Sequence, residues 1–235
     1  MEGTTAVERD MMQVANYWRL RKYRFLEQVA DEFIDVVRPV AAFRTRVRRC
    51  DVDMMNMAMT EWFLFERTYG NAGTPLERFI ADPPKTARRS SLARLRQVAD
   101  THLFSRFSIL GKDVRHGTAT LQDTRTGEVR EVLDRRICEV DRWRDGVIAE
   151  RIACVDGLWQ MVGQVRLYDR APDELTAPDG PGAIHPEDAD DAPYWEDVGF
   201  YLRLMRDVMG EDGRYSSSLE LLMPDGSLPD TSFVA

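Results

Sequence analysis

Two glutamates, Glu61 and Glu66, lie in the most apolar stretch of the chain and are the residues best suited to chemistry. The stretch reads Met54-Met-Asn-Met-Ala-Met-Thr-Glu-Trp-Phe-Leu-Phe-Glu66. On a helical wheel its polar sector is narrow, and both glutamates fall among methionine and aromatic side chains. A buried, unpaired carboxylate either costs several kcal/mol or keeps its proton with a raised pKa. Raised pKa values suit general acid–base catalysis, so this helix is a candidate active site.

The same two residues also have a structural interpretation, which we favour. Glu61 and Glu66 would pair with Arg67, Arg78 or an arginine from another element and fix the packing of a central helix. The methionine and aromatic stripe would then be core and not a binding groove. Recognition would take place between the segment 62–78 and a neighbouring sheet. The candidate binding residues, none of them assigned a catalytic role, are Glu61, Trp62, Glu66, Arg67, Tyr69 and Arg78.

Metal binding and nucleophilic catalysis have weak support in the sequence. The three histidines, His102, His116 and His185, are far apart, and no Cys-x-x-Cys spacing occurs. A Gly-x-Ser-x-Gly elbow and the glycine-rich phosphate loops are absent as well. We therefore predict no metal site and no cofactor.

Charge is segregated along the chain. Residues 171–235 carry 15 acidic and 3 basic side chains, whereas residues 1–100 carry 14 acidic and 17 basic. A near-balanced body followed by an acidic extension favours a non-catalytic interaction protein, in an adaptor or regulatory role. The extension would engage a basic protein partner or fold back over the arginine runs of its own chain.

Two basic runs carry the alternative of nucleic-acid contact. Residues 19–24 are flanked by Tyr17 and Trp18, and a second run covers residues 44–49. Basic side chains interleaved with aromatic ones can hold phosphates and stack bases. Because the charge of the first hundred residues is nearly balanced, we rank an RNA- or ribosome-associated factor with an autoinhibitory tail below a protein-binding one.

The first hundred residues read as helical. Apolar spacing predicts a helix from Ala6 to Val40 that ends or kinks at Pro39. Further helices are predicted from Asp51 or Asp53 to Tyr69, from the capping box at 74–77 to the prolines at 83–84, and over 86–102.

From about Phe104 the pattern changes to short alternating segments separated by turn signals. Asp145-Gly146 and Asp156-Gly157 are pairs that two-residue hairpins prefer. Five or six antiparallel strands predict a small barrel or curled sheet. A linker over 171–193 and an amphipathic helix over 192–209 follow. The fold class is thus α+β, with a helical region at 1–102, a small antiparallel barrel at 103–170 and an acidic extension with a helix at 171–235.

Three widely spaced cysteines, Cys50, Cys138 and Cys154, favour a reducing compartment over a disulfide framework. No run of 18 apolar residues occurs, and the first ten residues do not resemble a secretory signal. We expect a cytoplasmic protein without a membrane partner.

Two motifs resemble a group of uncharacterised bacterial proteins. They are Trp62-Phe-Leu-Phe-Glu66 followed by Gly73-Thr-Pro-Leu-Glu-Arg-Phe79, and Gly117-Thr-Ala-Thr-Leu-Gln-Asp-Thr-Arg-Thr-Gly-Glu-Val129. In that group a helix ending in W-F-x-F precedes a small β module, often joined to a Cys-rich zinc motif like that of the preprotein-translocase motor. The resemblance covers residues 50–165, and this chain departs from it in lacking the Cys-rich motif. It implies no reaction and favours a binding or adaptor role.

Overall fold

A computed structural model describes residues 5–21, 26–39, 49–170, 180–211 and 219–221. The helices before the sheet are α1 (Ala6–Arg19), α2 (Leu26–Val37), α3 (Arg49–Phe65), α4 (Pro75–Ala81) and α5 (Arg89–Thr101). The strands are β1 (Leu103–Asp113), β2 (Thr118–Asp123), β3 (Val129–Leu133), β4 (Val147–Val155), β5 (Leu158–Asp169) and β6 (Leu219–Leu221). Two further helices are α6 (Arg135–Glu139), between β3 and β4, and α7 (Ala192–Met209). The predicted α+β class is confirmed.

The first five strands close into a ring. Their order is β3-β2-β1-β4-β5, and β3 returns to pair with β5. The closing pair is parallel, with Val132 opposite Trp159, whereas the other pairs are antiparallel, so the ring is a mixed sheet. This connectivity, with a helix between β3 and β4, is that of the five-stranded Greek-key barrel called the OB-fold. Such barrels host many functions, so the connectivity alone assigns none.

The helical region differs from the sequence prediction in two respects. The helix predicted to run to Tyr69 ends at Phe65, and the first predicted helix is divided. The single helix predicted from Ala6 to Val40 is wrong, because α1 ends at Arg19 and α2 starts at Leu26. Leu20 caps α1 with its N–H on the Asn16 carbonyl. The capping box before α4 is confirmed: Glu77 donates its N–H to the Thr74 hydroxyl, and the Glu77 carboxylate accepts the Thr74 N–H.

The turn predictions have mixed outcomes. Asp156 and Gly157 both have positive φ, 52° and 79°, and form the predicted two-residue hairpin between β4 and β5. The hairpin predicted at Asp145-Gly146 is wrong: only Gly146 has positive φ, and it ends the loop that joins α6 to β4. The predicted linker is also partly wrong, since residues 186–191 form a 3₁₀ turn that leads into α7. Residues 171–179 lie outside the described part of the chain.

Strand β4 separates two cores. Ala149 and Ala153 pack with the helices, whereas Ile148 and Ile152 point into the barrel. Because side chains alternate along a strand, the adjacent Glu150 and Arg151 point in opposite directions. Both are buried, so β4 places one charged side chain in each core.

No described helix is both long and apolar enough to cross a bilayer.

Candidate functional site

Arg151 is the hub of a buried charged cluster between α3 and the barrel. Its Nε donates to Glu61 Oε1 at 3.1 Å, its Nη2 to Glu66 Oε1 at 2.6 Å, and its Nη1 lies 3.1 Å from His102 Nδ1. The Arg151 side chain is 1% exposed. We call Arg151, Glu61, Glu66 and His102 the helix-side centre. The predicted pairing of the two glutamates with an arginine from another element is confirmed.

Glu61 also stabilises the irregular part of β5. Its Oε2 accepts the backbone N–H groups of Gln164 and Val165. These residues lie in a stretch where β5 leaves the ladder, since Glu150 pairs with Arg166 but Ile152 pairs with Met161. A Cβ on Gly163 would come within 2.5 Å of Glu61 Oε2, so glycine is needed there. Both oxygens of Glu61 are therefore committed to donors of the fold.

Aromatic rings surround the guanidinium of Arg151. The ring centroids of Phe65, Phe104 and Tyr201 lie 4.6, 5.3 and 5.5 Å from its Cζ. Such contacts favour a cation that has lost its water. The Tyr201 hydroxyl donates to the carbonyl of Ala58, and burial, with the nearby Glu61 charge, raises the pKa of Tyr201 well above its usual value.

His102 is the neutral member of the helix-side centre. Burial, and then the charge of Arg151, lower the pKa of His102 to about 4. Because Arg151 Nη1 can only donate, Nδ1 of His102 accepts this bond and its proton sits on Nε2. The Glu66 side chain is 38% exposed, in contrast to the fully buried Glu61. Any proton transfer by this centre would thus depend on Glu66 and His102, because Glu61 has no uncommitted oxygen.

The other predicted binding residues lie apart from the helix-side centre, at the end of α3 and on α4. Arg67 makes two hydrogen bonds to Glu32, at 2.5 and 2.8 Å, and stacks on Tyr69 with its Cζ 4.3 Å from the ring centroid. Arg78 lies over the same ring at 5.2 Å. Trp62 is buried in the helical core.

The six residues therefore do not form one site. Glu61 and Glu66 meet Arg151, whereas Trp62, Arg67, Tyr69 and Arg78 pack elsewhere. Glu61, Trp62 and Arg67 are 1%, 8% and 8% exposed, so little of their surface can reach a partner.

Sequence reasoning missed a second charged cluster, inside the barrel. Arg166 donates from Nε and Nη2 to Asp134 at 2.6 and 3.1 Å, and its Nε lies 3.8 Å from Glu150 Oε2. We call these three residues the barrel centre. The signal was present in residues 147–155, where a Glu-Arg pair interrupts a strand that is apolar on both faces.

The pKa values of the two carboxyl groups in the barrel centre are shifted in opposite directions. Burial and the charge of Asp134 raise the pKa of Glu150 well above its usual value. Burial also acts to raise the pKa of Asp134, but the charge and hydrogen bonds of Arg166 outweigh it and lower that pKa. Asp134 receives further bonds from the N–H groups of Arg136 and Ile137, as the N-cap of α6.

His185 belongs to a third buried contact. Its Nε2 lies 2.9 Å from both carboxylate oxygens of Asp207, and the Gly182 N–H donates to the same carboxylate at 2.7 Å. Burial raises the pKa of Asp207. This contact ties residues 182–185 to α7. Within the described ranges, no three His, Cys, Asp or Glu side chains are grouped so as to hold a metal ion.

No family model, no curated protein and no solved structure matches the chain. The resemblance to the W-F-x-F group therefore stays a prediction.

Proposed function

We propose that this protein is a non-catalytic interaction protein that binds a basic protein partner through the first half of α7. The observation that carries the proposal is a break in this helix. Gly199 has φ 83° and ψ 160°, a conformation that is essentially limited to glycine, and it divides α7 in two.

The two halves have opposite surroundings. In residues 200–209, which we call the anchored half, Tyr201, Leu202, Leu204, Met205 and Val208 are buried in the helical core. In residues 192–198, the presented half, no side chain is buried. Tyr194 is 52% exposed there, and Glu196 and Asp197 are exposed beside it.

The presented half is held in place by the anchored half. The guanidinium of Arg203 donates to the carbonyls of Gly182 and Trp195. Arg206 stacks on the Trp195 ring at 4.2 Å and pairs with Asp188 at 2.9 Å. A surface that is already ordered loses less entropy on binding.

The charge of the presented half indicates the kind of partner. Asp190 and Asp191 precede the helix and are exposed, so four exposed acidic residues lie within four positions of Tyr194 along the chain. Acidic groups around an exposed aromatic ring complement a basic surface with an apolar contact at its centre. This supports the basic partner expected from the acidic extension.

The helix-side centre supports the same class of function. Glu61 is committed to Arg151 and to the backbone of β5, which gives it a structural role. The acid–base enzyme and the RNA-associated factor remain predictions that no contact in the described residues favours. We also propose a cytoplasmic location, supported by the free thiols of Cys138 and Cys154.

The test is photo-crosslinking in lysate from cells that express the chain naturally. A photoreactive phenylalanine derivative replaces Tyr194 in one variant, and Leu110 or Val129 in two controls of similar exposure, 55% and 54%. We expect a crosslink to a basic protein from position 194 alone. Glu196→Lys with Asp197→Lys should abolish it, whereas Asp31→Lys with Asp35→Lys, the same change on exposed positions of α2, should not. Equal crosslinking from all three positions, or no effect of the reversal on α7, would refute the proposal.

A further inference from the structure

The barrel interior holds buried polar atoms that the proposed function does not use. Ser105 on β1 and Glu150 on β4 face each other in the antiparallel pair and are 2% and 0% exposed. Among the described residues, no N–H or hydroxyl group donates to the carboxyl oxygens of Glu150, and the Ser105 hydroxyl has no hydrogen-bond partner. A buried polar group in this position is costly if it is charged.

The hydrogen-bond donors of the barrel centre are shared unequally between Asp134 and Glu150. Asp134 receives two bonds from Arg166 and two from backbone N–H groups. Glu150 has a longer contact, 3.8 Å, with Arg166 Nε, and its carboxyl group makes a side-chain hydrogen bond with that of Asp134, which requires a proton on one of the two. Two ionised carboxylates beside one guanidinium would leave a net negative charge in a closed apolar space.

We propose that Glu150 and Asp134 share one proton inside the barrel, and that loss of this proton is a switch that loosens the attachment of α6 to β4 and β5. Asp134 is the point of attachment, because it caps α6 and binds Arg166 on β5. It also directly follows β3, whose parallel pair with β5 closes the ring. Repulsion between two carboxylates would therefore act on the junction that closes the barrel.

The charged groups around Glu150 support the proposal that it holds a proton. Arg166 on β5 favours ionisation of Glu150, whereas Asp134 at the start of α6 and Glu61 on the other side of β4 oppose it. Tyr168 on β5 faces the same interior, Cys138 lies on α6, and Lys112 on β1 donates to the Ile137 and Val140 carbonyls at the end of α6. Burial is the largest cause of the raised pKa of Glu150.

The raised pKa of Glu150 decides how the free energy of unfolding changes with pH. An unfolded glutamate ionises near pH 4.5, whereas folded Glu150 keeps its proton to higher pH. Below that pH both states are protonated. As the pH rises above it, only the unfolded state releases a proton, so the stability contributed by the proton is lost up to the folded pKa.

The experiment is urea unfolding from about pH 5 to about pH 9 of the full chain, Glu150→Gln and the control Glu131→Gln, whose carboxylate is exposed on β3. Because one proton is linked to unfolding, the unfolding constant of the wild type relative to Glu150→Gln should rise up to about tenfold per pH unit. The control should follow the wild type. Infrared spectra at pH 7 should show a protonated carboxyl band that Glu150→Gln lacks and Glu131→Gln keeps.

Two results would overturn the proposal. One is a wild type whose pH profile runs parallel to that of Glu150→Gln; the other is the absence of the band from the wild type. If Glu150→Gln does not fold, ¹³C-carboxyl-labelled glutamate in the wild type decides the matter. A glutamate signal that stays protonated at pH 7 supports the shared proton, and its absence contradicts it.

Discussion

The helix-side centre and the barrel centre each place two carboxyl groups beside one arginine, but the excess negative charge is compensated differently in the two. In the helix-side centre, backbone N–H groups satisfy Glu61, and Glu66 is 38% exposed to solvent. In the barrel centre all three groups are buried, and the raised pKa of Glu150 keeps a proton there. Access to donors and water, more than the number of charges, distinguishes the two centres.

Removal of Arg151 should produce the largest effect. Arg151→Met would leave Glu61 buried without its cation, a loss that typically costs about 3–5 kcal/mol. We expect this decrease in the free energy of unfolding by urea denaturation at pH 7. Arg94→Met, which removes a partly exposed partner of Asp10, is the control and should cost less. A cost for Arg151→Met below about 1 kcal/mol would mean that the helix-side centre does not hold α3 to the barrel.

The second effect is a loss of stability in acid caused by His102. Its folded pKa is about 4 and its ordinary value 6.5. Between these values the unfolded state binds a proton that the folded state does not, so stability falls as the pH decreases through this window. The total loss is up to about 3 kcal/mol. Unfolding of wild type and His102→Gln at pH 7 and at pH 4.5 measures it.

His116 provides the control for that measurement. It is exposed, and its hydrogen bond to Asp113 raises its pKa, the opposite direction from His102. His116→Gln should therefore keep the acid sensitivity of the wild type, and His102→Gln should lose most of it. If both variants titrate like the wild type, His102 is not the source.

The smallest effect should come from Glu66. Its ion pair with Arg151 is open to solvent on one side, and exposed pairs contribute about 0–1 kcal/mol. Glu66→Gln should thus cost less than about 1 kcal/mol at pH 7. A cost of about 3 kcal/mol would place Glu66 in the same class as Glu61, and the proposed contrast in solvent access would then not hold.

Local sequence signals predicted much of the fold and one feature of the site, the pairing of Glu61 with an arginine. The capping box at Thr74 and the apolar run of α3 depend only on neighbouring residues, so the sequence alone predicts them. The apolar surroundings of Glu61 in sequence indicate that it needs either a cation or a proton. That the cation is Arg151 does not follow from the local sequence, because Arg151 lies 90 residues away and meets Glu61 only when α3 packs on the barrel.

The errors have physical causes of the same kind. The break after α1 falls in a run without glycine or proline, so no local residue marks the end of that helix. The pair Asp145-Gly146 meets the hairpin rule, but α6 intervenes between β3 and β4 and turns it into a loop end. The barrel centre needs the ring closure that places Asp134 beside Arg166, and that closure is a tertiary feature.

The most direct test of the contrast is the free energy of unfolding of Glu61→Gln and Glu150→Gln at pH 7. Glu61→Gln removes a charge that Arg151 and two N–H groups stabilise, so it should cost about 2–3 kcal/mol. Glu150→Gln replaces a carboxyl group that is already neutral, so its stability should equal or exceed that of the wild type. Equal losses in the two variants would contradict the account, because replacement of a neutral Glu150 by glutamine should cost little stability.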